Sequence, residues 1–359
     1  MNILYHIQLH IWGGAEQYVY DLARSMQKRG HTCVFVFQQG CDADLVKRFE
    51  PIGKTYILGS LGGLKRFLPY AGRQLQRIIE QNKIDVVHIN SRQAYFAMAW
   101  ARKFSDRKFK TVATQHLVRR AKTSRLWRWA YNRIDTLVCV SKHVEDTYSS
   151  DKENNPLFRQ TTVVYNSIIT DNNLMLQEKP QHEVPVIFYH GRICREKGVF
   201  QLIEAAKQIS DLPFVLSFAG AVTPSEKEEF MQKIKPLGTR VELLGFRHDI
   251  AELAHNATIG VIPSIVAEAG GPLALFENMA YCLPTITTDN GSQTEIITDM
   301  ENGILYSPDD INKLAQSMRL LICSPELRHQ LAKKAQQHFI ENFSYENTIA
   351  RYETIYAQI

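Results

Sequence analysis

PSIVAEAGGPLALFE occupies residues 263–277, and Asn278-Met279-Ala280 continue it. The run before it, Thr258-Ile259-Gly260-Val261-Ile262, has the apolar, β-branched character of a buried strand. A loop follows with Glu268, Gly270, Gly271 and Pro272, then a helix from about Leu273 with Glu277 in its first turns. Glycines at a strand-to-helix junction let backbone approach a ligand closely. The helix N-terminus behind them offers N–H groups and a positive dipole end, which suit a phosphate. Two carboxylates beside such a cradle can accept hydrogen bonds from sugar hydroxyls. Read from its residues alone, the stretch is a nucleotide-sugar site.

The same strand–turn–helix grammar repeats along the chain. Strands are expected at Ile3–Ile7, Thr32–Phe37, Asp85–Ile89, Thr111–Thr114, Thr136–Val140 and Thr162–Tyr165. A second set follows at Val186–His190, Phe214–Ala219, Val241–Leu244, Thr258–Ile262 and Thr285–Thr287. Several are apolar on both faces, as strands inside a parallel sheet must be. Ala15, Tyr18, Val19, Leu22 and Met26 form one helical stripe, which Gly30 ends. Such alternation predicts an α/β protein with doubly wound sheets. Between Thr170 and Val184 periodicity is lost and polar residues and proline accumulate. Two Rossmann-like domains are therefore expected, 1–170 and 185–340, joined by a linker over 171–184. Their active site would lie in the cleft between them. Tyr345, Ile349, Tyr352, Ile355 and Tyr356 recur at helical spacing, predicting a terminal helix within 341–359.

A chain of 359 residues, 45% hydrophobic and 22% charged, has the balance of a soluble two-domain protein. No apolar run is long enough to cross a membrane. The short run at Asn2–Ile7 lacks the flanks of a secretion signal. Six scattered cysteines form no C-x-x-C pair, which fits reduced thiols in a cytoplasmic protein and speaks against a zinc site. Residues 1–180 hold 27 Lys and Arg against 15 Asp and Glu, a surplus of +12, so the remainder carries −7. The basic half is the one suited to an anionic partner.

His190-Gly191-Arg192-Ile193-Cys194-Arg195-Glu196-Lys197-Gly198 follows the first strand of the second half. Arg192 offers a planar fork and Lys197 a point charge, so both can converge on one diphosphate. Fixed cations can neutralise a departing diphosphate without a metal. Gly13-Gly14-Ala15-Glu16 opens the first helix but is not G-x-G-x-x-G. Phe37-Gln38-Gln39 stands where a dinucleotide-binding fold needs an acid, so a dehydrogenase is disfavoured. Asp42-Ala43-Asp44 has the D-x-D form of a metal motif, yet it lies far from the expected nucleotide domain and reads as a solvated loop. Arg119, Arg120, Lys122, Arg125 and Arg128 cluster with Trp127 and Trp129, and Lys65 and Arg66 lie in an apolar segment. Cations beside aromatics suit an anionic membrane surface or a phosphorylated acceptor. They equally suit a solvated face above core aromatics. No nucleic-acid motif accompanies them.

Together these elements resemble the GT-B glycosyltransferases of the large retaining family 4. The matching segments are GGAE (13–16), TQH (114–116), VSK (140–142), VVYNS (163–167), GRICREKG (191–198), LLGF (243–246), IPS (262–264), FENMA (276–280) and LPTITTDNGSQTEII (283–297), in order along nearly the whole chain. The resemblance implies two Rossmann-like domains facing a central cleft and sugar transfer from a nucleotide-diphosphate sugar, expected to be a UDP-sugar, with retention and no obligatory metal. It implies that Arg192 and Lys197 hold the diphosphate, Glu277 the ribose hydroxyls and Glu268 the donor sugar. His116 would lie near the transferred sugar and Gly13-Gly14 near the diphosphate or acceptor. Phe246-Arg247 would lie by the base, Gly270, Gly271, Pro272 and Leu273 along the donor, and 290–295 along the same cleft. The family spaces its two glutamates eight apart; here they are nine apart, with Gly270-Gly271-Pro272 for the usual aromatic-Gly. The extra residue either displaces Glu268 or tunes donor selectivity.

The expected function is transfer of a sugar to a surface glycan or glycolipid precursor, such as lipopolysaccharide or capsule. Arg119, Arg120, Lys122, Arg125, Lys65 and Arg66 would meet the acceptor or the cytoplasmic face of the inner membrane. A catalytically idle nucleotide-sugar-binding scaffold and a sugar-nucleotide epimerase are the rival readings.

Overall fold

The computed structural model describes residues 1–7, 14–59, 61–150 and 155–358. The chain divides into two compact units, Met1–Tyr165 with Thr348–Ile359, and Asn166–Asn347.

Unit 1 is built on a seven-stranded sheet of β1 (Asn2–Ile7), β2 (Thr32–Gln38), β3 (Lys54–Leu58), β4 (Val86–Ile89), β5 (Lys110–Gln115), β6 (Thr136–Cys139) and β7 (Thr161–Val163). Its order is β3-β2-β1-β4-β5-β6-β7, with every pair parallel. The central strands are buried along almost their whole length, because helices cover both faces of such a sheet. The edge strand β3 is half exposed, so Lys54-Thr55-Tyr56-Ile57-Leu58 lacks the apolar signature that marks its neighbours. Sequence reading missed it for that reason.

Unit 2 repeats the design with β8 (Val186–His190), β9 (Val215–Ala219), β10 (Val241–Gly245), β11 (Ile259–Ile262), β12 (Thr285–Thr288) and β13 (Ile304–Tyr306). The order is β10-β9-β8-β11-β12-β13, again all parallel. The missed strand here is β13, whose three residues are too few to show a period. In each unit the strand order reverses beside the first strand, between β1 and β4 and between β8 and β11. Loops diverge at such a point and leave a crevice at the carboxyl edge of the sheet.

Helix Gly14–Lys28 buries Val19, Leu22 and Met26, and Gly30 follows it at φ +85°. Asp42 is exposed, as a solvated loop requires, and it caps helix Ala43–Phe49 by accepting a hydrogen bond from the Asp44 amide at 2.9 Å. The last helix, Tyr345–Gln358, buries Ile349, Tyr352 and Tyr356.

That helix is tied to unit 1 by a buried polar chain. Tyr356 Oη lies 2.6 Å from His88 Nδ1, and His88 Nε2 lies 2.7 Å from Thr114 Oγ1. Tyr352 Oη sits 3.2 Å from Thr114 Oγ1 and accepts from Tyr18 Oη at 2.5 Å. Burial, with His116 nearby, holds the His88 pKa down at about 3, so its ring is neutral. Tyr356→Phe orphans His88 Nδ1, and an unsatisfied buried polar atom costs about 1–3 kcal/mol. A lower midpoint in urea unfolding of unit 1, followed by near-UV circular dichroism, is the expected result; an unchanged midpoint would show that the chain carries no stability.

Candidate functional site

Two loops leave unit 2 at its point of reversal, residues 191–198 after β8 and 263–272 after β11. Their backbones are pinned together. The amides of Ile265 and Val266 donate to the Glu196 carbonyl at 3.0 and 3.4 Å. Gly198, at φ +70°, passes so close to the Pro263 carbonyl that a Cβ there would lie 1.7 Å from its oxygen. Only glycine permits that approach.

The approach brings Lys197 against Glu268. Lys197 Nζ donates to Glu268 Oε1 in a half-buried ion pair, and Ser264 Oγ donates to the same oxygen at 3.0 Å. An ammonium carries three donors, so this pairing leaves others for a second anion. The Glu268 backbone is clamped as well. It bridges to Gly291, and its carbonyl accepts from Ser292 Oγ at 2.8 Å. Ser292 Oγ in turn accepts from the Gly271 amide at 2.7 Å, and Asn290 Nδ2 donates to the Ile265 carbonyl at 2.6 Å. Thr288 Oγ1 donates to the Ser264 carbonyl at 2.9 Å. The segment 288–292 thus holds the glutamate loop from beneath. Gly271, at φ +80°, absorbs the turn before Pro272; a Cβ there would meet Ile296 at 2.6 Å.

Glu277 stands on helix Leu273–Ala280, with its side chain 28% exposed. Its Oε2 is 3.3 Å from His190 Nδ1, and His190 Nε2 is 3.0 Å from Asn278 Oδ1. His190 ends β8 and stacks on Phe188 at 5.0 Å. Asn278 fits because residue 260 of β11 is glycine, where a Cβ would lie 2.4 Å from Nδ2. Burial lowers the His190 pKa to about 4 and raises that of Glu277 to about 7. The imidazole is therefore neutral, and the carboxyl holds its proton almost to neutrality.

Arg192 is exposed, with Glu196 4.0 Å away as its one ion-pair partner among the described residues. Phe246 is 72% exposed, packed edge-on to His248, while Arg247 forms an ion pair with Asp249 two residues on. Leu273 is 44% exposed at the helix start, and Gly270, Gly271 and Pro272 are buried. Sequence reading singled out Lys197, Glu268 and Glu277 and gave no role to Ser264, His190 and Asn278, which the structure places against them. The position of His190, last in its strand and directly before Gly191, is the one signal that could have found it.

In unit 1, His116 follows β5, with Nε2 3.4 Å from Asn90 Oδ1 and its ring edge-on to Tyr18 at 5.2 Å. Burial lowers its pKa to about 4. Gly13 lies outside the described residues, and Gly14 opens the first helix. Trp127 is core, at 4% exposure, whereas Arg120, Lys122, Arg125 and Lys65 are exposed. Arg66 is bonded to the Gly63 carbonyl at 2.8 Å, and Leu64, Leu68 and Tyr70 around it are exposed. Among the described residues no helix is long and apolar enough to cross a membrane, and no three His, Cys, Asp or Glu side chains could hold a metal ion together.

Residues 172–338 match the family of glycosyl transferases group 1, and residues 12–172 match glycosyltransferase family 4. Among curated proteins the chain is similar to an uncharacterized glycosyltransferase of Methanocaldococcus jannaschii, 28% identical over 65% of this chain and 62% of that one, so just under two thirds of that relative is spanned. It is also similar to the N-acetyl-alpha-D-glucosaminyl L-malate synthase of Bacillus anthracis, 24% identical over 97% and 94% of the two chains. Among solved structures, Anabaena HepE in complex with UDP superposes with a TM-score of 0.80, at 20% identity over the full length of both.

The Glu277 environment predicts a pH signature. Its pKa is about 7 in the fold against an ordinary 4.5. Between those values the folded chain keeps a proton that the unfolded chain has released, so this group's contribution to stability falls as pH rises through the window. Glu277→Gln removes the fall. Relative to the parent, the variant gains stability from pH 4.5 to 7 and levels off above, by about 2 kcal/mol after allowance for partial exposure. Urea unfolding at pH 5 and pH 8 measures it; an equal difference at both would refute the buried-carboxyl account.

Proposed function

We propose that the chain is a glycosyltransferase of the GT-B fold that moves a sugar from a nucleotide-diphosphate donor to a hydroxyl of a glycan or glycolipid precursor, with retention of anomeric configuration. The observation that carries this reading is the convergence of Lys197, Glu268 and Ser264 at the β8–β11 reversal, with Glu277 on the helix behind the same loop.

Lys197 keeps Glu268 with one donor and turns the others toward the diphosphate. Arg192, whose guanidinium is exposed, closes on the same oxygens. Glu268 accepts from hydroxyls of the donor sugar, and Glu277 from those of the ribose. The similarity to a protein solved with UDP supports a uridine donor. In the reaction the sugar C1–O bond breaks and the diphosphate leaves with the electron pair. Lys197 and Arg192 stabilise that charge as it forms. The acceptor oxygen bonds to C1 on the face the diphosphate vacates, and its proton passes to a departing phosphate oxygen. No protein carboxylate attacks C1 in this scheme, which separates it from retaining glycosidases. His116, kept neutral, lines the sugar.

A panel of nucleotide sugars scored by thermal shift identifies the donor, and turnover of that donor tests the scheme. Lys197→Ala is expected to lower kcat/KM about 10²-fold or more. The product should keep the donor's anomeric configuration by proton NMR. An inverted product would refute retention. Donor binding without turnover, for every acceptor tried, would favour the idle scaffold.

A further inference from the structure

Beside β4 and β5, the carboxyl edge of the unit 1 sheet carries two arginines, Arg92 and Arg119, that have no carboxylate partner among the described residues. Ser91 caps the turn Arg92–Ala94 just after β4, and Arg119 lies four residues after β5, the neighbouring strand. The two guanidinium groups are within electrostatic reach, and burial together with Arg92 depresses Arg119. Arg119 Nε is buried without an acceptor, and its Nη2 has only a long contact, 3.4 Å, to Gln115 Oε1. Arg92 and Lys122 both lie 5.5 Å from the Trp127 ring. The floor is phenolic: Tyr95, Tyr131 and Tyr148 are fully buried, and their hydroxyls stay protonated because burial raises each pKa.

Two other part-buried arginines of this unit are matched. Arg102 pairs with Asp135 and Arg107 with Asp85, each at 2.6 Å. Among the described residues neither Arg92 nor Arg119 has a carboxylate within ion-pair distance. Like charges held at the edge of a core repel, and an unpaired buried N–H is unfavourable, so the arrangement lacks one anion. Two guanidinium groups within reach of each other, with an ammonium against the same indole as one of them, suit a dianion with tetrahedral oxygens more than a single carboxylate.

We propose that Arg92, Arg119 and Lys122 form a phosphate subsite in unit 1, which receives a phosphate group carried by the acceptor. The inference rests on the transferase reading and names its acceptor class, a phosphorylated one. Sequence reading placed Arg119 and Lys122 in a broad basic surface and passed over Arg92. Arg92 and Arg119 are part-buried, whereas Lys122 is solvent-exposed like Arg120, Arg125 and Lys65 and is set apart from them by its contact with the Trp127 ring.

The test uses the full chain carrying Lys197→Ala, so that phosphate bound by the donor loop of unit 2 contributes little. Titration with glycerol 3-phosphate, followed by Trp fluorescence, should saturate. Arg92→Gln and Arg119→Gln should each weaken it about tenfold or more, and Arg120→Gln should leave it unchanged. Without phosphate, Arg119→Gln should melt a few degrees higher than its parent, because one repelling charge is gone. Sedimentation with phosphatidic acid vesicles against phosphatidylcholine vesicles then tells a lipid-borne phosphate from a soluble one. No saturable binding of either source, or equal binding by parent and Arg119→Gln, overturns the subsite. Donor protection of the chain with native Lys197, retained in Arg119→Gln, would show that the transferase reading survives such a failure.

Discussion

A carbonyl oxygen, that of Pro263, occupies the place where a Cβ on residue 198 would have to be. That steric condition governs how the two loops at the point of reversal of unit 2 meet. Because residue 198 is glycine in a left-handed conformation, the loop after β8 lies against the loop after β11, and Glu196 accepts two amides from across the gap. Lys197 is then delivered to Glu268, although the two are 71 residues apart in the chain. A bulkier residue at 198 would separate the loops, and cation and carboxylate would each face water. The parallel sheet supplies the crevice, and glycine lets two loops share it.

The site also holds polar groups that a core would ordinarily refuse. Glu277 and His190 meet at 3.3 Å with little solvent, and each is driven toward its neutral form. A buried ion pair would demand several further hydrogen bonds to offset desolvation. A neutral pair needs fewer, and Asn278 supplies one of them. This explains why Gly260 lies in the middle of β11, where glycine otherwise weakens a strand: its missing side chain is the space that Asn278 fills. The glutamate that would bind a ribose is thus supported by a histidine, an asparagine and an absent Cβ from three different elements.

How much of this was legible beforehand follows from which physical quantity each feature depends on. Buried parallel strands depend on side-chain apolarity, which is written locally, so β8 is found to the residue while half-exposed β3 is not. Loop chemistry was legible where charged residues and glycines cluster, as in 191–198 and 263–272. What the sequence could not display was pairing across it. Read singly, Lys197 and Glu268 had separate tasks, on diphosphate and on sugar; in space each restrains the other. The nine-residue spacing of Glu268 and Glu277 looked like a displacement. Gly271 takes up the turn, and the Glu268 side chain reaches Lys197 and Ser264. Ser264, His190 and Asn278 are ordinary residues whose importance comes only from three-dimensional neighbours.

The charge asymmetry between the halves resolves in the same way. A surplus of basic residues says that an anion is welcome but not where, since most cations on a surface are solvated or paired. Arg102 and Arg107 are accounted for by Asp135 and Asp85, and Arg29 by Glu353. Beyond such pairs, Arg92 and Arg119 stand within electrostatic reach of each other, close to buried phenols and an indole. Concentrated charge without a counterion is a strained arrangement in any protein, and it persists only where something outside the chain relieves it. In unit 2 Glu268 stands in the loop after β11 and pairs with Lys197. In unit 1 Arg92 and Arg119 have no carboxylate within ion-pair distance among the described residues, so the two points of reversal, alike in topology, present different electrostatic demands.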